Sequence, residues 1–435
     1  MVKSKDKELK KKQKLRDARR TNAKLFPIYK MFSWDLLFFY SIEFLFLTIT
    51  KRLDASEILL INGFFLVARL FCQFPSVIIS EFIGRRKSII LGNFLLILFV
   101  LSLMFLPGIT SILIADLFFA LGYDLKTISE TNLLYDSVST RGGEGLFSKL
   151  DAKGGSWYYI LDGIASLTAG YLFVINNYLP LIICLAFIII STVISFNFKD
   201  IYVGQKEKKK DKKIIEILRD QDEDIKTCFK FIIRSKRMRA FILFQIVFYS
   251  FIKVVETYRS QVLIDLKVPE EQFSMIFAAL TLMGGLSLTV KKNIEKKFKN
   301  KTLTFVSLMY ICACIFVGAI TSMTTSQVVI PLILIMYAIM KMATSIWWIL
   351  ESKYLKNFTT ENMRGKLTFT YELIGKISAS IVSILGALLL KVLNAENAFL
   401  VLSLFALACM VPTLDYMRKR FGLRPKQYKK EDIEF

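Results

Sequence analysis

The sequence contains no histidine. A Ser-His-Asp triad, a Cys-His dyad and any His-ligated metal site are thereby excluded. Cysteine is sparse: Cys72, Cys184, Cys228, Cys312, Cys314 and Cys409, none spaced as Cys-x-x-Cys and most set inside apolar runs. Such placement suits small buried apolar residues, not a disulfide or zinc framework. No G-x-x-x-x-G-K-[ST] phosphate loop occurs, so ATP use would require a separate subunit. Apolar and polar residues do not alternate along the apolar runs, which excludes a membrane β-barrel. Proton chemistry is left to carboxylates, Lys, Tyr and Cys.

What is present pulls in two directions. Of 435 residues, 54% are hydrophobic, while 59 Lys and Arg against 36 Asp and Glu give a formal charge of +23. Mean hydropathy is +0.48. A soluble domain this apolar lacks polar residues to cover its surface, and a disordered basic chain lacks apolar ones. Apolar segments in lipid joined by basic aqueous connections satisfy both observations.

A bilayer core needs about 20 apolar residues per helix. Twelve segments qualify: 28–50, 58–79, 88–106, 110–134, 156–173, 179–198, 240–262, 273–290, 302–320, 328–350, 367–390 and 398–416. The expected fold class is therefore an all-α integral membrane protein with 12 transmembrane helices in two six-helix halves. The first segment follows a charged tail and precedes no small-x-small site, so it is not read as a cleaved signal. The two tails and alternate connections hold 48 of the Lys and Arg residues, the six remaining connections 4, and the spans 7. The basic side faces the cytoplasm, which places both termini there, in a cell membrane.

The expected organisation is a basic N-tail (1–27), a first bundle (28–198), a basic linker (199–239), a second bundle (240–416) and a basic C-tail (417–435). The linker contains the run Lys206-Glu207-Lys208-Lys209-Lys210-Asp211-Lys212-Lys213, read as a solvated, topology-setting stretch. After it, Ile214, Ile217, Leu218, Ile225 and Phe229 can share one face of an amphipathic helix lying on anionic lipid. The N-tail charges lie where topology already requires them, so no nucleic-acid partner is expected.

A charge at the bilayer centre costs roughly 2.5–3.5 kcal/mol on insertion scales, so each should face protein or water. Fourteen lie well inside the spans: Asp35, Glu43, Arg69, Asp116, Asp124, Lys126, Glu130, Asp162, Lys253, Glu256, Arg259, Lys341, Glu372 and Lys376. Spans 1, 4, 7 and 10 carry ten of them, and spans 3, 6, 9 and 12 carry none. Four three-helix repeats would give this period if the first helix of each lined a wet cavity. Lys126 and Glu130, Lys253 and Glu256, and Glu372 and Lys376 sit three or four residues apart and can neutralise one another. Asp35, Glu43, Arg69 and Lys341 have no oppositely charged neighbour at that spacing. Their partners must lie on other helices or be water, substrate or protons, and Arg69 with Glu43 or Asp35 is one cross-helix option. The aromatics Trp347, Trp348, Tyr337, Phe38, Phe39 and Tyr40 are read as packing or lipid-facing residues, and Gly284-Gly285 as a close helix contact.

Gly84-Arg85-Arg86-Lys87, with Glu81 three residues before the glycine, occupies the short connection between spans 2 and 3. This segment resembles the loop motif of the major facilitator superfamily, G-x-L-a-D-r-x-G-r-k. Gly84 matches the second glycine, Arg85 and Arg86 the basic pair, and Glu81 the acid. Val77 stands in place of the first glycine and Phe82 in place of a basic residue, and the corresponding loop at 291–301 is basic without the glycine. Lys126-Thr127-Ile128-Ser129-Glu130-Thr131-Asn132-Leu133-Leu134-Tyr135-Asp136-Ser137, followed by Phe147-Ser148-Lys149 and Gly154-Gly155-Ser156, looks like bacterial permeases of the same superfamily. The resemblance implies a cytoplasmic gate at Glu81, Gly84, Arg85 and Arg86. It also implies a secondary active transporter of a small molecule, not an enzyme, working by alternating access without a bound cofactor.

Desolvation favours the neutral form of a carboxyl group, so one that meets two sides of a membrane in turn can carry a proton. Asp35, Glu43, Asp124 and Glu130 are the candidates for coupling to a proton gradient. Asp116, Arg69, Lys126, Lys253, Glu256, Arg259 and Lys341 complete the candidate substrate cavity. Acidic residues on span 1 and basic ones on spans 7 and 10 suit a zwitterionic, amphipathic or organic-ion substrate, handled by a monomer. Two other readings stay open: the membrane subunit of an ATP-driven system, and a non-transporting receptor or assembly factor of the same fold.

Overall fold

Lipid offers the backbone no hydrogen-bond partner, so a long apolar run closes its bonds internally as a helix. A computed structural model describes residues 2–138, 143–201, 214–298, 301–324, 326–358 and 364–421. Its long elements are α1 (Val2–Ser33), α2 (Ala55–Ile83), α3 (Arg85–Phe105), α4 (Gly108–Val138), α5 (Gly143–Ile175) and α6 (Leu179–Ser195). They continue with α7 (Ile214–Arg234), α8 (Lys236–Asp265), α9 (Glu270–Phe298), α10 (Thr302–Met323), α11 (Ile330–Asn357), α12 (Arg364–Val392) and α13 (Ala395–Phe421). Among the described residues there is no strand. Nine of the described helices are long and apolar enough to cross a membrane: α2 to α5, α8 and α10 to α13. Helix α6 is apolar but shorter, and α9 carries the expected segment 273–290.

The first expected span is the exception. Helix α1 begins in the basic N-terminal stretch, runs through the 27/28 boundary and stops at Ser33. Residues 34–42 are irregular, followed by the short turn Glu43–Leu45 and a π-turn at Phe46–Thr50. Segment 28–50 is thus a broken element, not one helix. Asp35 Oδ1 accepts from the Leu36 amide at 3.1 Å, the kind of local side-chain bond that competes with helix. Phe38 then takes φ 68°. Irregular backbone at membrane depth is tolerated when protein covers it, and Leu36, Leu37, Phe39 and Ile42 are all buried. The C-terminal part of the expected N-tail is equally built in. Asn22 donates to the Lys199 carbonyl and accepts from the Lys199 amide, both at 2.8 Å.

The chain divides into two compact units, Met1–Phe46 with Ala68–Ile217, and Leu47–Val67 with Leu218–Phe435. Helix α2 is shared between them at Val67. In the first unit α1 packs on α5 and α6, and α3 on α4 and α6. In the second, α8 packs on α12 and α13, and α10 on α11 and α13. Counting each set of six helices from its start, the same partners recur: first with fifth and sixth, third with fourth and sixth. Missing side chains allow some of these approaches. A Cβ on Gly92 would stand 2.7 Å from the Gly122 carbonyl, and one on Gly318 2.8 Å from Leu400 Cα. Of the expected Gly284-Gly285 contact, only Gly284 is used, against Ser345; Gly285 meets nothing.

Candidate functional site

The break after α1 organises the buried charges of the first unit. Ending a helix leaves its last carbonyls without intrahelical partners. The Ser33 carbonyl receives the ammonium of Lys126, which is 1% exposed. Lys126 also lies 5.1 Å from the Tyr123 ring. A small cavity beside this contact is lined by Ser33, Asp35, Asn93, Tyr123, Lys126 and Ser191 among apolar neighbours. Asn93 Nδ2 is buried there without a hydrogen-bond partner, and Ser33 hydrogen-bonds to Tyr29. Lys126 is therefore held by a backbone acceptor across 93 positions of sequence, not only by Glu130 one turn away on its own helix.

Glu130 is buried and faces Lys126 and Lys30. The Tyr29 hydroxyl hydrogen-bonds to Glu130 and lies 3.5 Å from Asn93 Oδ1. One Glu130 oxygen, Oε2, is left unpartnered. Lys30 pairs with Asp151 and sits 3.9 Å from the Trp34 ring. Space for this arrangement comes from Gly154 and Gly155 on α5: a Cβ on Gly155 would stand 2.4 Å from Trp34.

Arg69 on α2 pairs with Asp124 on α4 at 2.8 Å and lies 5.1 Å from the Tyr123 ring. The cross-helix partner of Arg69 thus includes Asp124, an acid not offered for that pairing by the sequence. Buried Asp116 interacts electrostatically with Glu43, and its Oδ2 has no hydrogen-bond partner. Two carboxylates therefore share one region of the first unit, and a second group forms around Asp35, Lys126 and Glu130.

The Gly84 loop has a defined architecture. Gly84 adopts φ 90° just before α3, a conformation open to glycine and strained for residues with a Cβ. Arg85 pairs with Asp136 and donates to the Asn132 carbonyl at 2.6 Å, both on α4. Arg86 donates to the Phe196 carbonyl at 2.6 Å, and its amide donates to Asp200 at 3.0 Å. Glu81 interacts electrostatically with Arg85. The two arginines fasten the start of α3 to the end of α4 and to the segment after α6. Asp136, Asp200, Asp151, Tyr29 and Asn93 were not singled out as site residues, because sequence separation hides their partners.

The second unit treats its charges differently. Lys253 and Glu256 form the expected neighbouring pair at 3.0 Å, with side chains 31% and 50% exposed. Arg259 and Lys341 also act electrostatically on Glu256. Arg259 stands 4.9 Å from the Phe277 ring, and its carbonyl accepts from Tyr337 at 3.1 Å. Trp347 packs edge-on against Phe248 and is fully buried, whereas Trp348 is 46% exposed. Of the expected pair Glu372 and Lys376, the first is exposed and the second buried. One buried acid was not anticipated: Glu351 accepts from the Tyr371 hydroxyl at 2.8 Å.

Comparison with solved structures gives the fold by similarity. The nucleoside transporter NupG matches with a TM-score of 0.70 at 12% identity, covering 94% of this chain and 100% of that one. A D-xylose-proton symporter matches with a TM-score of 0.64 at 11% identity, covering 92% and 96%. A peptide transporter POT in complex with sulfate matches with a TM-score of 0.65 at 11% identity, covering 93% and 95%. Curated protein sequences give no match. The family profile of the Major Facilitator Superfamily matches residues 31–336, a stretch that includes the Gly84 loop and the buried charges of α4. The chain is a membrane protein of the major facilitator superfamily, a transporter and not an enzyme.

Proposed function

We propose that this protein is a secondary active transporter of a small organic ion or zwitterion, working by alternating access and driven by a proton gradient. In this reading it has twelve spans in two six-helix halves, with both termini on the cytoplasmic side of the cell membrane. The recurring helix partners of the two units support two equivalent halves, and the 48-to-4 division of Lys and Arg supports the orientation.

One observation carries the coupling. Acids lie buried within helices that otherwise read as membrane spans, and Asp116 Oδ2, Asp124 Oδ2 and Glu130 Oε2 lack hydrogen-bond partners. An unpartnered carboxylate oxygen is expensive to bury as an anion. Protonation lowers that cost, and exposure to water restores the charge. Alternate exposure of such a group to two compartments moves a proton. Asp35, Glu43, Asp124 and Glu130 are the proposed coupling residues, with Asp116 beside Glu43. Arg69, Lys126, Lys253, Glu256, Arg259 and Lys341 tune the charge of the transport path. The clamp made by Gly84, Arg85 and Arg86, with Glu81, is the proposed cytoplasmic gate element: its ion pairs hold in one state and break in the other. A proton symporter shares the fold at 11% identity; the buried acids are what support coupling in this chain.

The experiment is a substrate screen in proteoliposomes under an imposed pH gradient, with a sodium gradient as control. Flux driven by the pH gradient is expected, and Glu43→Gln should abolish it while leaving counterflow exchange and elution profile intact. Unchanged proton-driven flux in Glu43→Gln removes Glu43 from the coupling group. Flux that depends on ATP alone, or no flux with a stable protein partner, rejects the transporter mechanism proposed.

A further inference from the structure

Helix α7 turns its apolar residues in two directions. Cys228, Phe231 and Ile232 are buried. This side is fixed to the start of α12, where Lys366 pairs with Asp224 at 2.6 Å and Thr370 hydrogen-bonds to Cys228. Burial pushes the Cys228 thiol pKa up, as expected of a group in a dry contact. Phe229 belongs to the apolar face expected to lie on lipid and is 37% exposed, and Ile233, one turn later, is 65% exposed. At 100° per residue the two lie on one stripe beside the buried side. The next arc of the helix carries Arg219, paired with Glu223 at 3.2 Å, and the exposed Lys230 and Arg234.

The location of this stripe is fixed by the chain. Only Ser235 separates Arg234 from α8, which is long and apolar enough to cross the membrane. Ser235 caps α8 by accepting from the Met238 amide at 3.2 Å. Arg239 of α8 donates back to the Ile233 carbonyl at 3.3 Å. Phe229 and Ile233 are thus held at the end of a crossing helix. An exposed apolar stripe flanked by Lys and Arg is the pattern of a helix lying in the membrane interface.

We infer that α7 is a membrane-surface helix whose outer flank binds anionic phospholipid. Phe229 and Ile233 sit among the upper acyl carbons, and Lys230 and Arg234 hold the headgroup phosphates. The opposite flank stays on the protein through Cys228, Phe231 and Ile232. Juxtamembrane basic residues gain roughly fivefold in affinity each from an anionic surface. Zwitterionic lipid fits the apolar stripe but leaves the cations without counter-charge.

The test is hydrogen exchange of the full-length protein in nanodiscs of phosphatidylcholine, with and without phosphatidylglycerol. Amides of 223–234 should exchange several-fold more slowly when phosphatidylglycerol is present, and raised salt should release that protection. Lys230→Gln/Arg234→Gln should lose the headgroup dependence, and Phe229→Ser/Ile233→Ser should lose protection in both lipids, while α8 and α13 exchange as before. Protection of 223–234 that is independent of headgroup and salt in the unmodified protein overturns the proposal. So does headgroup dependence that survives in both variants. No transport measurement enters, so the result is independent of the mechanism proposed above.

Discussion

The two units repeat a helix-packing plan and place the charges of α4 and α8 differently. In the first, Asp116, Asp124, Lys126 and Glu130 are buried on one helix, α4. In the second, Lys253 and Glu256 are partly or well exposed on α8, and the interior around it is aromatic: Phe248, Phe251, Tyr310 and Trp347 meet edge to edge. Buried ions need fixed partners, because a lost partner leaves an uncompensated charge. Aromatic packing needs only shape and apolar surface. Single charge changes should therefore cost more on α4 of the first unit than on α8 of the second.

The largest expected effect tests the ion pair. Removing one side of a buried pair costs about 3–5 kcal/mol, while replacing both sides with apolar residues of similar size is often neutral. Asp124→Ala should lower the melting midpoint by removing the partner that Arg69 holds at 2.8 Å. Arg69→Met/Asp124→Leu should recover most of that loss. A double variant no more stable than Asp124→Ala would show that the pair is not the unit that matters.

Backbone approach should matter equally in both units, which sharpens the contrast by removing charge from it. Gly92→Val and Gly318→Val each force a side chain into backbone, at Gly122 and Leu400. Overpacking of this kind costs about 1–3 kcal/mol, visible as a lower melting midpoint in either half. Gly285→Ala has open space and should leave the midpoint unchanged or raise it slightly, through a gain in helix propensity of up to about 1 kcal/mol. A large loss at Gly285 would mean that the steric account of these glycines is wrong.

The helical class was readable because a membrane span has a length and composition that few other elements share. Eight of the twelve expected segments fall wholly within helices, and 88–106, 179–198 and 328–350 overrun α3, α6 and α11 by one to three residues. The break at 34–42 was not readable, since it depends on one Asp35 bond and on covering residues from elsewhere. For the site, residue types were legible and partnerships were not. Arg69 and Asp124 are 55 positions apart, and Lys126 reaches a backbone carbonyl, which no side-chain pattern announces. Gly84 could be assigned to a tight turn because φ 90° leaves few alternatives to glycine. The partners of Arg85 and Arg86, Asp136 and Asp200, needed the folded unit. On α7, periodicity gave the amphipathic helix and its apolar face with Phe229, but the burial of Cys228, Phe231 and Ile232 needed the folded unit.

The smallest expected effect lies in the second unit, at the pair the sequence did announce. Lys253 and Glu256 meet at 3.0 Å on one helix, with half of the Glu256 side chain exposed. Exposed pairs contribute about 0.2–1 kcal/mol, and Arg259 and Lys341 also act on Glu256, so the acid keeps favourable partners when Lys253 is lost. Lys253→Gln should therefore move the melting midpoint barely at all. Glu256→Gln should do slightly more, because it leaves three cations with less compensation. Equal and large losses from both, matching Asp124→Ala, would erase the distinction between the units and show that the second holds its charges as tightly as the first. If the expected order is seen, the charges of α8 are free to answer to a ligand at little structural cost, whereas those of α4 hold the unit together as well.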